Sequence, residues 1–274
     1  MSYAPDQGEA TGDTVEAPVF TVADLNEGDV LNFKVRAFVG EDKARVYSEW
    51  SEEIVGRVAR AVDMTGIDLD KPMIALTFDD GPDFGSVTTR ILDTLKKYNG
   101  HATFFQLGSR AEELPELMKR IADENHEVGC HTYDHTHYGK NVTPSDIIDG
   151  DDAIEKICGV RPTVFRSTGG ATTDLIRETC KKENMPLFYW SIDTEDWKSR
   201  NADAVYSEVV NHVSDGDIIL MHNLYASTAD AVERLVPYLV DKGYQLVTVS
   251  QLVQAKTGEP PVPGTQYVTA TQTN

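Results

Sequence analysis

Two short stretches hold the residues best equipped for chemistry: TFDDGP at residues 77–82 and HTYDH at residues 131–135. The first closes an apolar run with two adjacent carboxylates, Asp79 and Asp80. On an extended chain their side chains diverge, so one can bind a cation while the other faces a water or a substrate. In the second stretch His131 and His135 stand four positions apart, a spacing from which a loop or a helical turn brings both to one ion. One carboxylate and two imidazoles leave an open coordination position, the pattern of a catalytic rather than a structural metal. Each stretch also has a plainer reading. Asp-Asp-Gly-Pro is a common turn sequence, and a chain with seven histidines can place two at this spacing by accident.

The elements that must carry these residues favour convergence. From residue 73 onward, short apolar runs alternate with amphipathic helical patterns, which predicts a parallel α/β arrangement. The expected strands are residues 73–78, 102–106, 127–130, 163–165, 187–192, 217–221 and 245–249. Between them Ile91, Leu92, Leu95 and Tyr98 keep helical spacing, as do Leu117, Met118 and Ile121. Thr143-Pro144 reads as an N-cap with proline at the first helical position. Two more helices run through Val205 to Val213 and Val232 to Leu239, the last with a kink expected at Pro237. On this map Asp79 and Asp80 follow the first strand, His131 the third, Arg166 the fourth, Asp193 the fifth and His222 the sixth. In a barrel of parallel strands such positions share one rim.

Composition narrows the alternatives. A chain of 274 residues with net charge -20 and a pI near 4.6 repels phosphate backbones and anionic lipid, which argues against nucleic acid and membrane surfaces as partners. Apolar stretches such as residues 218–221 are far too short to span a bilayer. The opening MSYAPDQGEATGDT does not read as a secretory signal. Cys130, Cys158 and Cys180 form neither a disulfide framework nor a metal pair.

The division expected is a disordered segment at 1–17, a β segment at 18–60, a linker at 61–71, a catalytic domain at 72–255 and a Pro/Thr-rich tail at 256–274 read as linker. Within 18–60, LNEG, FKVRA and SEWS show period-two alternation with a turn at 40–42 and resemble the last strands of a fibronectin type III module. Leu31 stands where that family usually has tyrosine, and the earlier strands are absent.

TFDDGP, HTYDH, FRSTGG, DTEDW and LMH, in this order, resemble the polysaccharide deacetylases of carbohydrate esterase family 4, the NodB-homology group, over residues 71–252. The resemblance implies a distorted (β/α) barrel preceded here by a short all-β segment, and a hydrolase that removes acetyl groups from sugar polymers with one divalent metal. It makes Asp80, His131 and His135 the metal ligands, with zinc favoured and cobalt, nickel or iron compatible. Asp79 becomes the general base, Arg166 its partner, and His222 the general acid. Asp193 is expected to tune His222, with Asp196 read as a helix cap. Trp197 either lines a sugar groove or packs in the core. Tyr133, Leu220 and Gly169 complete the substrate side, Gly169 through its backbone N–H at the oxyanion. His126, His137 and His212 match no role.

Where the family commonly reads Arg-Pro-Pro-Tyr-Gly, this chain has Arg166-Ser167-Thr168-Gly169-Gly170. The lost prolines imply a less preorganised oxyanion donor. The resemblance points to a monomeric, extracellular or cell-envelope enzyme of a bacterium acting on N-acetylglucosamine polymer, peptidoglycan or chitin-like. The alternatives are an acetylxylan O-deacetylase and a catalytically impaired carbohydrate-binding protein.

Overall fold

The central strand is the segment MIALTFD, and its two faces explain the architecture. A computed structural model describes residue 25 and residues 29–39, 46–58 and 61–273; the disorder expected at 1–17 and the turn expected at 40–42 lie outside the described residues. Contacts divide the chain into two units, Met1–Ala61 and Val62–Asn274.

In the first unit β1 (Val30–Phe33) and β4 (Ile54–Arg57) pair antiparallel, as do β2 (Phe38–Val39) and β3 (Val46–Tyr47). Ser51 and Ser48 accept from the backbone of Val35 and Ala37. Arg36 stacks over the rings of Tyr47 and Trp50, 3.9 and 4.3 Å from their centroids.

In the second unit β5 (Met73–Asp79) is buried at all seven positions. It lies in a parallel sheet with β6 (Thr103–Gln106), β7 (Glu127–Cys130), β9 (Ile192–Asp193) and β10 (Ile218–His222), in the order β7-β6-β5-β10-β9, and β11 (Gln245–Leu246) pairs with its start. Burial on both faces is what an all-apolar parallel strand demands. Ile74, Leu76 and Phe78 join one apolar cluster with Ile91 and Leu92 of α1 (Val87–Lys97), Met118 of α3 (Pro115–Asp123) and Leu235 of α8 (Ala226–Asp241). Met73 and Ala75 belong to a second cluster with Phe105, Val164, Phe188 and Ile218. Thr77 and Asp79 continue that second face toward the strand's C-terminal end. The interior is therefore apolar at its base and polar at the rim where β5 stops.

Helices α2 (Gly108–Glu113), α4 (Pro144–Cys158), α5 (Asp174–Lys182), α6 (Asp196–Ser199), α7 (Ala202–His212) and α9 (Val249–Thr257) complete the unit. Thr143 caps α4 in a reciprocal box with Asp146, as the Thr-Pro pair predicts. Helix α8 continues through Pro237.

Four expectations change. Residues 163–165 form no strand; Phe165 alone bridges Cys130 and Leu187, so the sheet does not close into a continuous barrel. Residues 187–192 break into β8 (Leu187–Phe188) and β9 because the chain changes neighbours: Phe188 N bonds Phe165 O, while Ser191 N bonds Ile218 O. Thr248 leaves the last strand to cap α9 with Gln251. The tail at 256–274 is no linker: β12 (Gln266–Tyr267) pairs with β8, the Tyr267 ring stacks on Phe188 at 5.2 Å, and Ala270 N bonds Gly216 O. Tyr267 and Ala270 join the second apolar cluster beside Phe188 of β8 and Ile218 of β10.

Candidate active site

Register does much of the assembly. Pairing of β5 with β10 sets His222 opposite Asp79, and pairing with β6 sets Asp79 opposite Phe105. His131 follows β7, and Arg166 follows the Phe165 bridge.

Asp79 and Asp80 separate by a different route from strand alternation. Asp79 remains in the strand, whereas Asp80 has φ 70, the left-handed region that non-glycine residues enter at a cost and that recurs at functional sites. The next residues are fixed closely. A Cβ on Gly81 would overlap Asn223. Asn223 in turn bonds Gln106 and Thr88, and Asp83 accepts the backbone N–H of Gly85, Val87 and Thr88 at the start of α1.

Turned this way, Asp80 Oδ1 lies 3.1 Å from His135 Nε2 and 3.3 Å from His131 Nε2. One ligand atom from each of the three lies within 4.8 Å of the others. His131 Nδ1 is 2.7 Å from the Arg166 carbonyl. A carbonyl only accepts, so Nδ1 carries the proton and Nε2 presents a lone pair to the cluster. Burial alone would raise the Asp80 carboxyl, but the neighbouring imidazoles of His131 and His135 hold it well below the usual carboxylate range. His135 is raised, first by its bond to Asp80. Three donors this close around one point, with neighbouring lone pairs aimed at each other, fit a divalent cation better than they fit an empty space.

Asp79 is tied on one oxygen only. Arg166, fully buried, donates to Asp79 Oδ1 at 2.8 Å, to Thr77 Oγ1 at 2.7 Å and to the carbonyls of Phe188 and Tyr189 at 2.8 and 2.9 Å. The guanidinium lies 4.1 Å above the Phe105 ring. These bonds fix the Asp79 plane and leave Oδ2 facing His131 Nε2 at 3.8 Å.

Opposite them stands His222, with Nε2 4.0 Å from Asp80 Oδ2. Its partner is Asp196 and not Asp193. Asp196 Oδ1 lies 2.7 Å from His222 Nδ1, and its other oxygen accepts from His222 N and Thr228 Oγ1. Asp193 instead accepts the N–H of Glu195 at 2.9 Å. That turn, with Glu195 at φ 46, swings Asp196 under the histidine. Burial would depress the imidazole, but the Asp196 bond and charge, with Asp79 and Asp80, raise it to about 9.

The substrate-side residues divide. Trp197, whose N–H bonds Asp196, is 47% exposed, which removes the core-packing reading. Leu220 lies one pleat below His222 on the same face of β10 and is nearly buried, an apolar floor. Tyr133 turns away: its hydroxyl donates to Glu112 of α2. Gly169 has φ 71. His137 bonds Asp146 of the α4 cap, and His126 is buried against Phe104.

Sequence reasoning missed Asp196 as a functional residue, although it stands next to Trp197, and the Asn223, Gln106 and Asp83 brace. Asn223 carried one signal: it directly follows His222 at a strand end.

A fold and site of this kind have counterparts. The family model described as polysaccharide deacetylase matches residues 66–188. A Bacillus subtilis peptidoglycan-N-acetylmuramic acid deacetylase, PdaC, is 45% identical over 193 residues, covering 69% of this chain and 40% of that protein. Its solved structure superposes with a TM-score of 0.66 at 43% identity, over 70% of this chain and 95% of that one. A Bacillus cereus peptidoglycan-N-acetylglucosamine deacetylase is 36% identical, covering 68% of this chain and 91% of its own. A Clostridium thermocellum acetyl xylan esterase of family 4, solved with a cobalt ion, shares 30% identity over 73% of this chain and 100% of its own, at a TM-score of 0.66. The chain belongs to the polysaccharide deacetylase family. It spans about two fifths of the length of the first of these relatives.

Proposed function

We propose that this chain is a metal-dependent deacetylase that removes N-acetyl groups from the amino sugars of peptidoglycan. The observation that carries the reading is the junction of two assemblies at one point: the Asp80, His131, His135 cluster, and Asp79 with its free Oδ2 beside it. Asp80, His131 and His135 would hold one divalent ion, with zinc favoured by the donor set. When bound, that ion supplies Lewis-acid polarisation and a more acidic water.

The side chains supply the proton movements. Asp79 Oδ2 takes the proton of the attacking water, and Arg166 on Oδ1 keeps the carboxylate aimed. His222 Nε2 gives a proton to the departing amine. Asp196 keeps the imidazolium available. The N–H of Gly169 is the expected oxyanion donor, and Trp197 offers a flat face to a sugar ring. Peptidoglycan is favoured because two relatives named for it, at 45% and 36% identity, share more sequence with this chain than the acetyl xylan esterase does at 30%. The acetyl xylan esterase keeps O-deacetylation as a second reading.

The paired strands and serine-tied loops of the first unit support a partial fibronectin type III-like segment. A peptidoglycan substrate places the enzyme at the cell envelope or outside the cell. Among the described residues, no helix is long and apolar enough to cross a membrane. The test is acetate release from peptidoglycan, N-acetylchitooligosaccharides and acetylxylan with metal supplied. Release from the first two, abolished by Asp79→Asn, supports the reading. Release from acetylxylan alone moves the assignment to the esterase. Glycan binding with no release from any of the three leaves a binding protein.

A further inference from the structure

The stretch that departs from the family pattern, Arg166 to Gly170, has glycine three residues after the arginine, where tyrosine is common. Gly169 and Gly170 have φ of +71 and +66. Their absent side chains leave space that two aromatic rings from elsewhere occupy. A Cβ on Gly169 would overlap the ring of Tyr138, and one on Gly170 would lie 2.7 Å from Trp190 Cη2. Tyr138 comes from the loop that follows His135, and the two rings have centroids 5.6 Å apart. Thr168 Oγ1 donates to the His137 carbonyl at 3.0 Å, which clamps this loop to the glycine stretch. Tyr138 nevertheless remains 59% exposed. The ring thus sits between a ligand imidazole and the backbone expected to receive the oxyanion, with much of its surface open.

The geometry points to Tyr138 as a substrate-positioning and specificity residue, which supplies from the metal-ligand loop the aromatic wall that the family pattern carries three residues after the arginine. This rests on the deacetylase reading above. Its ligand is the apolar CH face of an N-acetylated hexopyranose, the chemistry that flat aromatic rings accept. Gly169 and Tyr138 act as a pair: the glycine is needed because the tyrosine occupies its side-chain space.

The experiment uses N-acetylchitotetraose, with kinetics in the active protein and calorimetry in the Asp79→Asn background. Tyr138→Ala should raise KM and Kd by about 5-fold, the size of one lost aromatic contact, with kcat changing far less and the metal content unchanged. Tyr138→Phe should recover most of the lost affinity. Gly169→Ala should weaken binding more in the presence of Tyr138 than in the Tyr138→Ala background, because only the first carries the clash. Unchanged binding in Tyr138→Ala overturns the proposal, and so does a loss of affinity that tracks loss of metal. If the unsubstituted protein binds the tetramer through Tyr138 yet never hydrolyses it, the contact stands and the deacetylase reading falls. No binding of the tetramer in any form overturns the contact as well.

Discussion

Replacing Asp196 by asparagine tests how the site makes its acid. The substitution keeps the size of a fully buried side chain and an acceptor for His222 Nδ1, but removes the negative charge 2.7 Å from it. With Asp196 present the imidazole stands at about 9. Without it burial, the largest opposing influence, returns the group to the ordinary imidazole value of about 6.5 or below, a loss of roughly 3 kcal/mol of support for the cation. In the metal-free protein the protonated fraction at pH 8 thereby falls from about nine-tenths to about 3%, and the alkaline limb of kcat/KM should move down by about two pH units. The loss of kcat/KM should therefore be larger at pH 8 than at pH 6. A cation seated on Asp80 opposes protonation of His222, so the alkaline limb of the loaded enzyme lies below 9. The displacement between the two proteins still reports Asp196. The assay is the pH profile of acetate release from N-acetylchitotetraose, with Asp193→Asn as control. An equal loss at pH 6 and pH 8, or an equal displacement by Asp193→Asn, refutes the reasoning.

Arg166→Met should abolish acetate release and lower stability by about 3–5 kcal/mol in urea titration, because it leaves Asp79 buried and unpaired. Arg166→Lys should not restore release, since an ammonium cannot span the four acceptors the guanidinium reaches. Asp151 is fully buried 3.8 Å from Arg161, and burial pushes its carboxyl up to about 8. The folded chain therefore holds a proton that the unfolded chain releases near 3.8, and stability falls as pH rises through that window by up to about 1.4 kcal/mol per unit. Asp151→Asn should raise the urea midpoint more at pH 8 than at pH 4.5; an equal gain at both contradicts the assignment. Deleting residues 260–274 uncovers the Phe188 ring and should cost about 3 kcal/mol, lowering Tm by about 10 °C.

Residue types told much of this in advance, and conformations told the rest. TFDDGP and HTYDH announced a carboxylate and two imidazoles able to share an ion, and their places after successive strands announced a common rim. The left-handed turn at Asp80 was not legible, because Asp adopts extended and left-handed backbone in the same sequence context. DTEDW offers two carboxylates, and which one meets His222 depends on the turn at Glu195, a tertiary matter. Residues 163–165 look like a strand, yet Arg166 takes the carbonyls of Phe188 and Tyr189 for its own bonds, and only Phe165 pairs. The tail shows no periodicity because only a few scattered residues, Tyr267, Val268 and Ala270, reach the core.

The central claim is that one divalent ion and one free carboxylate share this site, and metal content measured alongside acetate release tests it most directly. One equivalent of metal per chain is expected, lost together with activity in Asp80→Ala, His131→Ala and His135→Ala. Asp79→Asn should keep the metal and lose the activity. Metal that persists after all three ligands are removed, or acetate release undiminished in Asp79→Asn, would contradict it.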